Sequence, residues 1–257
     1  MTMAGWALVL ASATIGSTSW AQECVDCNRK GDAALDAAGS GAFLPESLGA
    51  RIGSARVFAF GSGGFDSAQR GPLADTAVEA AIFGSLALRA QATYSDPTAR
   101  MRPSIGARMQ LLRQEREGLD GALTVVFKTE GFTETEGEIE ANASLARRFG
   151  RTSLIGNLVY GQDPEGNERD AEIRAALLHQ RNWLVVGVDS RARFAIGTQH
   201  GRAATTEPVF DILAGPFATA AEGPVALFAQ AGPSALQLAN SPAQIGVAML
   251  AGIGAAY

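Results

Sequence analysis

No stretch of this 257-residue chain stays apolar for the roughly 20 residues that a bilayer-spanning helix requires, so transmembrane helices are excluded. A basic excess is missing too. The formal net charge is −5, and no segment gathers Lys and Arg into a surface that would track phosphates, which argues against nucleic acid as a partner. Histidine is scarce, with His179 and His200 the whole supply, and cysteine is limited to Cys24 and Cys27. These shortages leave little material for a metal or cofactor site, and none is expected.

The first residues do have a pattern. An apolar run, Trp6 to Leu10, leads through small residues to Ser19-Trp20-Ala21, a small-x-small end that predicts export with cleavage after Ala21, although Lys and Arg are lacking ahead of the run. The run is too short to span a bilayer. Residues 1–21 are therefore expected to be a signal peptide, 22–54 a periplasmic extension, and 55–257 one folded domain, since all-β barrels of this size form single domains. Within 22–54 nothing alternates. Gly31 to Gly41 is mostly small and polar, with Phe43 and Leu44 beside it as the apolar anchor, so a loosely ordered tail is expected over a plug in a lumen.

Cys24-Val25-Asp26-Cys27 sits just past the predicted cleavage site, where an oxidising compartment lets a local disulfide persist. Free thiols are the alternative. A redox motif would need a βαβ context, haem attachment a His in place of Asn28, and zinc further ligands. Lipid attachment would need the Cys directly after the cleavage site, where Gln22 and Glu23 stand instead.

What the chain has in abundance is alternation. In Leu86 to Tyr94 the side chains Leu86, Leu88, Ala90, Ala92 and Tyr94 share one face, and Arg89, Gln91 and Thr93 the other. Ser104 to Leu112 and Glu138 to Ala146 repeat the pattern. Leu123 to Glu130, Thr152 to Tyr160, Ala171 to His179, Trp183 to Phe194, Glu207 to Ala218 and Val225 to Leu236 follow, each bounded by Gly, Pro, Asp or Asn. Ala55 to Phe60 and Thr76 to Phe83 are weaker candidates that bring the count to about twelve.

The last strand, Gln244 to Tyr257, puts Ile245, Val247, Met249, Ala251, Ile253, Ala255 and Tyr257 on one face and stops on an aromatic. It resembles the terminal strand of bacterial outer-membrane β-barrels, which the insertion machinery of that membrane reads. The resemblance covers about residues 55–257 and is to porin-like architecture in general. It implies an all-β, transmembrane, antiparallel up-and-down barrel of about twelve strands, with membrane lipid and the assembly machinery as partners and Tyr257 as the insertion signal.

Such barrels have short periplasmic turns and longer external loops. Counting back from Tyr257, the external connections are expected at 237–242, 195–206, 161–170, 131–137, 95–102 and 61–75. The periplasmic ones fall at 219–224, 180–182, 148–151 and 84–85, with 113–121 as one long exception. Tyr94, Tyr160, Phe194 and Phe210 then gather at the external end, and Phe149, Trp183 and Tyr257 at the periplasmic end, as aromatic girdles do.

By parity Arg89, Arg108, Lys128, Arg174, Arg191 and Arg193 point inward with Glu130, Glu138, Glu140, Glu172, Asp189 and Asp211, a wall of both signs. Paired, these charges close a narrow lumen; segregated around water, they make a small pore. Passage of small solutes or a structural membrane role follows. Two rivals remain: a soluble barrel with its apolar face turned inward around a ligand, and a lipid-modifying enzyme of the kind some twelve-stranded outer-membrane barrels are. The second is weakened by its histidines, since His179 falls at the periplasmic end of a strand and His200 in a loop, neither beside a Ser and an orienting partner.

Overall fold

The computed structural model describes residues 33–52, 57–95, 100–129, 131, 137–164, 169–196 and 208–257. The predicted signal 1–21, Cys24, Cys27, Glu130 and His200 lie outside them. Twelve strands run up and down: β1 (Val57–Asp66), β2 (Gly71–Phe83), β3 (Leu86–Ser95), β4 (Arg100–Leu112), β5 (Asp120–Thr129), β6 (Gly137–Phe149), β7 (Thr152–Gln162), β8 (Arg169–Arg181), β9 (Leu184–Ala195), β10 (Pro208–Glu222), β11 (Val225–Leu238) and β12 (Gln244–Ala256). Each pairs antiparallel with its chain neighbours, and β1 closes on β12 from Phe58↔Ala256 to Asp66↔Ala248. Tyr257 finishes the seam through two backbone hydrogen bonds with Val57, at 2.9 and 3.2 Å. Closure leaves no strand edge unpaired, as a barrel in lipid requires.

The two weak strand candidates are full strands, and the loop expected at 61–75 is a tight turn at 67–70. The run Gly61-Ser62-Gly63-Gly64 has the composition of a loop, yet it is strand, paired with both β2 and β12, and at Gly64 β12 passes very close. A Cβ on Gly64 would lie 1.9 Å from the Met249 carbonyl oxygen. The turn itself is held by Ala68 N–H donating to Asp66 Oδ1 at 2.8 Å, with Arg70 at φ 57°.

At the end of the barrel where the chain stops, the connections are the pairs Gly84-Ser85, Gly150-Arg151, Asn182-Trp183 and Gly223-Pro224. Asn182, Gly150 and Gly223 take positive φ there, as two-residue hairpins demand. The exception is 113–119, which carries the short helix α2 (Gln114–Glu117). The other end bears the longer connections, up to 196–207 between β9 and β10.

The apolar face of each strand points out. Leu88, Ile105, Leu158, Ile173, Leu227 and Met249 are each 51–68 % exposed. At about 25 cal/mol per Å², a continuous belt of this kind would be costly against water and costs nothing against hydrocarbon. The soluble rival needed that face inside, and the structure turns it outward. Tyr160, Phe194 and Phe210 form one row near the loop end, linked through Tyr160↔Ala171, Ala171↔Phe194 and Phe210↔Phe194. Phe149, Trp183 and Tyr257 lie exposed at the turn end. From Thr152 to Tyr160 the strand climbs about 20 Å along the axis at the usual tilt, close to the height of a lipid-facing band.

The expected loose tail is corrected for residues 33–52. They are packed inside the barrel. Helix α1 (Ala33–Gly39) anchors at the turn end, where Ala34 N–H donates to Gly223 O at 3.2 Å. The chain then rises to Leu44–Leu48 and descends toward β4. Phe43 is 1 % exposed and meets Phe58 edge-on and Phe228 in a stack, both at 6.3 Å between ring centres. Ala34, Ala37, Ala38 and Leu44 complete this contact with Ile155, Leu178, Val185 and Phe217 of the wall.

Candidate functional site

The site is the lumen, and it has two storeys. In the half nearer the turns β1, β2 and β7–β12 turn apolar side chains onto the plug, while β4–β6 turn Gln110, Asp120 and Ser144 inward. Around that contact, wall side chains reach for the plug backbone. Asn157 on β7 accepts from Leu48 N–H at 2.7 Å and donates to Leu48 O at 2.8 Å. Asp189 on β9 accepts from Ser47 Oγ at 2.6 Å and from Glu46 N–H at 2.9 Å. Arg108 donates to Gly49 O at 2.6 Å and pairs with Glu79, while Gln110 accepts from Ile52 N–H at 3.3 Å. A tail crossing an apolar chamber has backbone groups that must be bonded, and these side chains supply the partners.

Above the plug tip the wall is charged. Lys128 on β5 bridges to Glu140 and, at 3.6 Å, to Glu138 on β6, with Arg102 of β4 4.0 Å from Glu138. Arg174 pairs with Glu172 at 2.6 Å on β8; Arg193 of β9 pairs with Asp170 and stands 3.8 Å from Glu172. Arg191 joins Asp211 of β10 at 2.5 Å and Glu46 of the plug at 3.0 Å. Arg89 lies 3.6 Å from Glu79 and bonds Gln91, which holds Asp75 at 3.0 Å. These pairs surround a cavity of about 220 Å³ whose floor is Leu44–Leu48. It is a cup, bounded on the turn side by the chain's own segment.

Of the inward residues expected from parity, Lys128, Glu140, Glu172, Arg174, Arg191, Arg193 and Asp211 line this cavity together with Arg89. Glu138 stands behind Lys128. Arg108 and Asp189 lie lower and face the plug, not the cavity. Sequence reasoning missed Glu46, Ser47 and Asn157, which fasten the plug, and Asp75, Glu79, Asp170 and Arg102, which complete the ion pairs. A signal for the plug was present. Leu154-Ile155, Leu177-Leu178 and Val185-Val186 are apolar on both parities near the turn end, as strands are when both faces are covered.

Glu46 is the titratable group of the plug tip. Its carboxyl is pushed up from 4.5 to about 7, chiefly by burial, with Arg191 pulling it down and Asp189 adding to the rise. His179 is exposed on the outer face at the turn end, its Nδ1 3.1 Å from Thr152 Oγ1. No group of three His, Cys, Asp or Glu side chains suited to a metal occurs among the described residues.

No family model and no curated protein matches the chain. Among solved structures it is similar to the NanC porin in a rhombohedral crystal form, at TM-score 0.57 and 6% identity, over 77% of this chain and 98% of that one. A BenF-like porin from Pseudomonas fluorescens Pf-5 matches at TM-score 0.37 and 6% identity, over 72% of this chain and 56% of its own. OccK11 (OpdR) of Pseudomonas aeruginosa matches at TM-score 0.37 and 8% identity, over 79% and 64%. At these identities the fold is what is shared, and the first of the three carries that likeness. The fold the chain shares with that porin is a closed antiparallel β-barrel, here of twelve strands.

Proposed function

We propose that the protein passes small polar solutes across the outer membrane and that residues 33–52 are its gate. The carrying observation is the cup: ion pairs of both signs around a cavity, closed below by a segment of the same chain. Paired charges on the wall replace the hydration of a small polar solute without binding one sign tightly. The floor is a separate segment held by hydrogen bonds, the apolar packing around Phe43 and the Glu46–Arg191 ion pair, so opening it leaves the barrel ladder intact. Export with cleavage after Ala21, Tyr257 as the insertion signal, a Cys24–Cys27 disulfide in the extension and the absence of an enzymatic role belong to the same reading.

Planar-bilayer conductance of the purified protein tests it. Small, intermittent steps are expected from the intact chain, and larger, sustained ones once the segment is released by substitution at Phe43 or Asp189. Identical silence from both would remove the passage reading. Recovery of the protein from the periplasmic fraction, free of outer membrane, would remove the membrane reading altogether.

A further inference from the structure

The outer surface at the turn end, between β6 and β8, carries a group of cations that the lumen does not use. Arg147 projects outward on β6 between Leu145 and Phe149, at the level of Leu154 and Leu177 on the next two strands. Its guanidinium lies 4.8 Å from the centre of the Phe149 ring. Arg151 occupies the β6–β7 turn, and its carbonyl accepts from Gln180 N–H at 2.8 Å, which sets it beside Arg181 at the end of β8. His179 lies between them, opposite Thr152. All four side chains are exposed.

None of the three arginines has a carboxylate partner among the described residues. Of the acids at this end, Glu115 faces Arg51 of the plug at 3.9 Å, Glu117 faces Arg116 at 3.9 Å and accepts from Arg113 N–H at 3.2 Å, and Glu222 stands exposed at the end of β10, two strands from Arg181, with no ion pair to any of the three arginines. An arginine on the lipid-facing side of a barrel is costly unless an anion meets it, and the cost falls only toward the interface. Phe149 and Trp183, 55 % and 60 % exposed, mark that interface here. A planar guanidinium beside an aromatic at headgroup depth suits a phosphate with two oxygens to offer.

We propose that Arg147, Arg151 and Arg181, with His179 between them, form a binding site for the headgroup phosphate of an anionic phospholipid in the leaflet at the turn end. The inference rests on the reading that the apolar belt faces lipid. Its occupant is a lipid because the cations border the belt, and an anionic one because three arginines stand here without an ion pair among the described residues, against the single exposed Glu222 on β10. A lipid held there would tie β6, β7 and β8 together from outside, opposite the wall that Asn157 and Asp189 use to fasten the plug.

Trp183 stands at this surface and serves as the reporter once Trp6 and Trp20 are replaced by Phe. The full chain with W6F and W20F is folded into phosphatidylcholine vesicles containing a fixed fraction of chain-brominated phosphatidylglycerol, or the same fraction of brominated phosphatidylcholine. Bromine quenches Trp183 by contact. Phosphatidylglycerol should be favoured around it by about fivefold, the effect of roughly one well-placed arginine. R147Q, R151Q and R181Q together, or R181Q alone if the triple variant folds poorly, should bring the preference toward equality, as should 1 M salt. A tryptophan moved to the loop end by Y160W in a W183F background should show no preference. Equal quenching by both lipids in the unsubstituted arginine background, or a preference that the arginine variants leave intact, overturns the site while the barrel stands. No quenching by either lipid overturns the site and the membrane reading together.

Discussion

Below Leu44–Leu48 the lumen is built like the core of a soluble protein; above it, like a surface folded inward. The same twelve strands make both halves, and the same alternation runs through them. What differs is the neighbour each inward face meets. In the lower half it is Phe43, Leu44 and the alanines of α1, so inward positions are Phe58, Phe60, Leu178, Val185 and Phe228. In the upper half it is a cavity, and the inward positions become Arg174, Arg191 and Arg193 with Glu172 and Asp211. A barrel wall is thus written for three solvents at once: lipid outside, protein inside below, and an aqueous cup inside above.

The comparison breaks most visibly if the lower half loses its filling. Phe43→Ala removes a ring that touches Phe58 and Phe228, and a buried Phe→Ala change costs about 3–5 kcal/mol. That loss shifts the plug toward release, so conductance should change from intermittent toward sustained while the barrel's heat resistance in detergent gels stays. If the barrel melts with the plug, the two halves are one cooperative unit and the gate reading fails. Asp189→Ala should act in the same direction by less. It strands the Ser47 hydroxyl and the Glu46 N–H, at about 1–3 kcal/mol for a buried group left unpaired.

At the boundary between the halves, acidity is the lever. Glu46 sits on the plug tip facing Arg191, Asp189, Arg174 and Asp211, and its carboxyl is pushed up to about 7 by burial. Docked, it binds a proton more readily than when undocked near 4.5. The docked state therefore holds more protons between those values, and its stability falls as pH rises through that window and is level on either side. The change across the window is on the order of 3 kcal/mol. Single-channel recordings at pH 5 and pH 8 should show longer closures at pH 5, and Glu46→Gln should flatten the difference. Longer closures at pH 8 would mean that the ionised Glu46–Arg191 pair, and not the neutral acid, holds the floor.

Most of the barrel could be read from residues alone, because alternation records what lies on each side of a strand. Ile105, Ala107, Met109 and Leu111 against Ser104, Arg108 and Gln110 name both faces of β4 without further help. The β1 strand could not be read in the same way. Within its Gly61-Ser62-Gly63-Gly64 run only Gly64 is demanded by the closeness of β12, a contact between the two ends of the domain. The plug escaped for a related reason. Residues 33–52 have no periodicity of their own, and their order comes from Asn157, Asp189 and Arg108, which are distant in sequence and read by parity as lumen or ordinary wall. Lumen charges could be assigned by parity, but the height at which each stands could not, so Asp189 and Arg108 were grouped with residues of the cup although they hold the floor.

Height is also what the gentlest change probes. Lys128 stands in the cup wall between Glu138 and Glu140, well away from the plug contacts. Lys128→Gln removes one positive charge and leaves Glu138 with Arg102 and Glu140 with Arg174 as neighbouring cations, so the wall potential moves negative. A change of about one RT at the wall enriches cations and depletes anions by roughly threefold each, a roughly sevenfold gain in cation over anion permeability. Reversal potentials under a salt gradient measure it, on the same recordings that time the closures. Because Lys128 makes no hydrogen bond or ion pair to residues 33–52, selectivity should shift while opening and closing rates stay as they were. A shift in closure times from this substitution would mean that the charged half also holds the plug, and the division of the lumen into a gate below and a selective cup above would have to be abandoned.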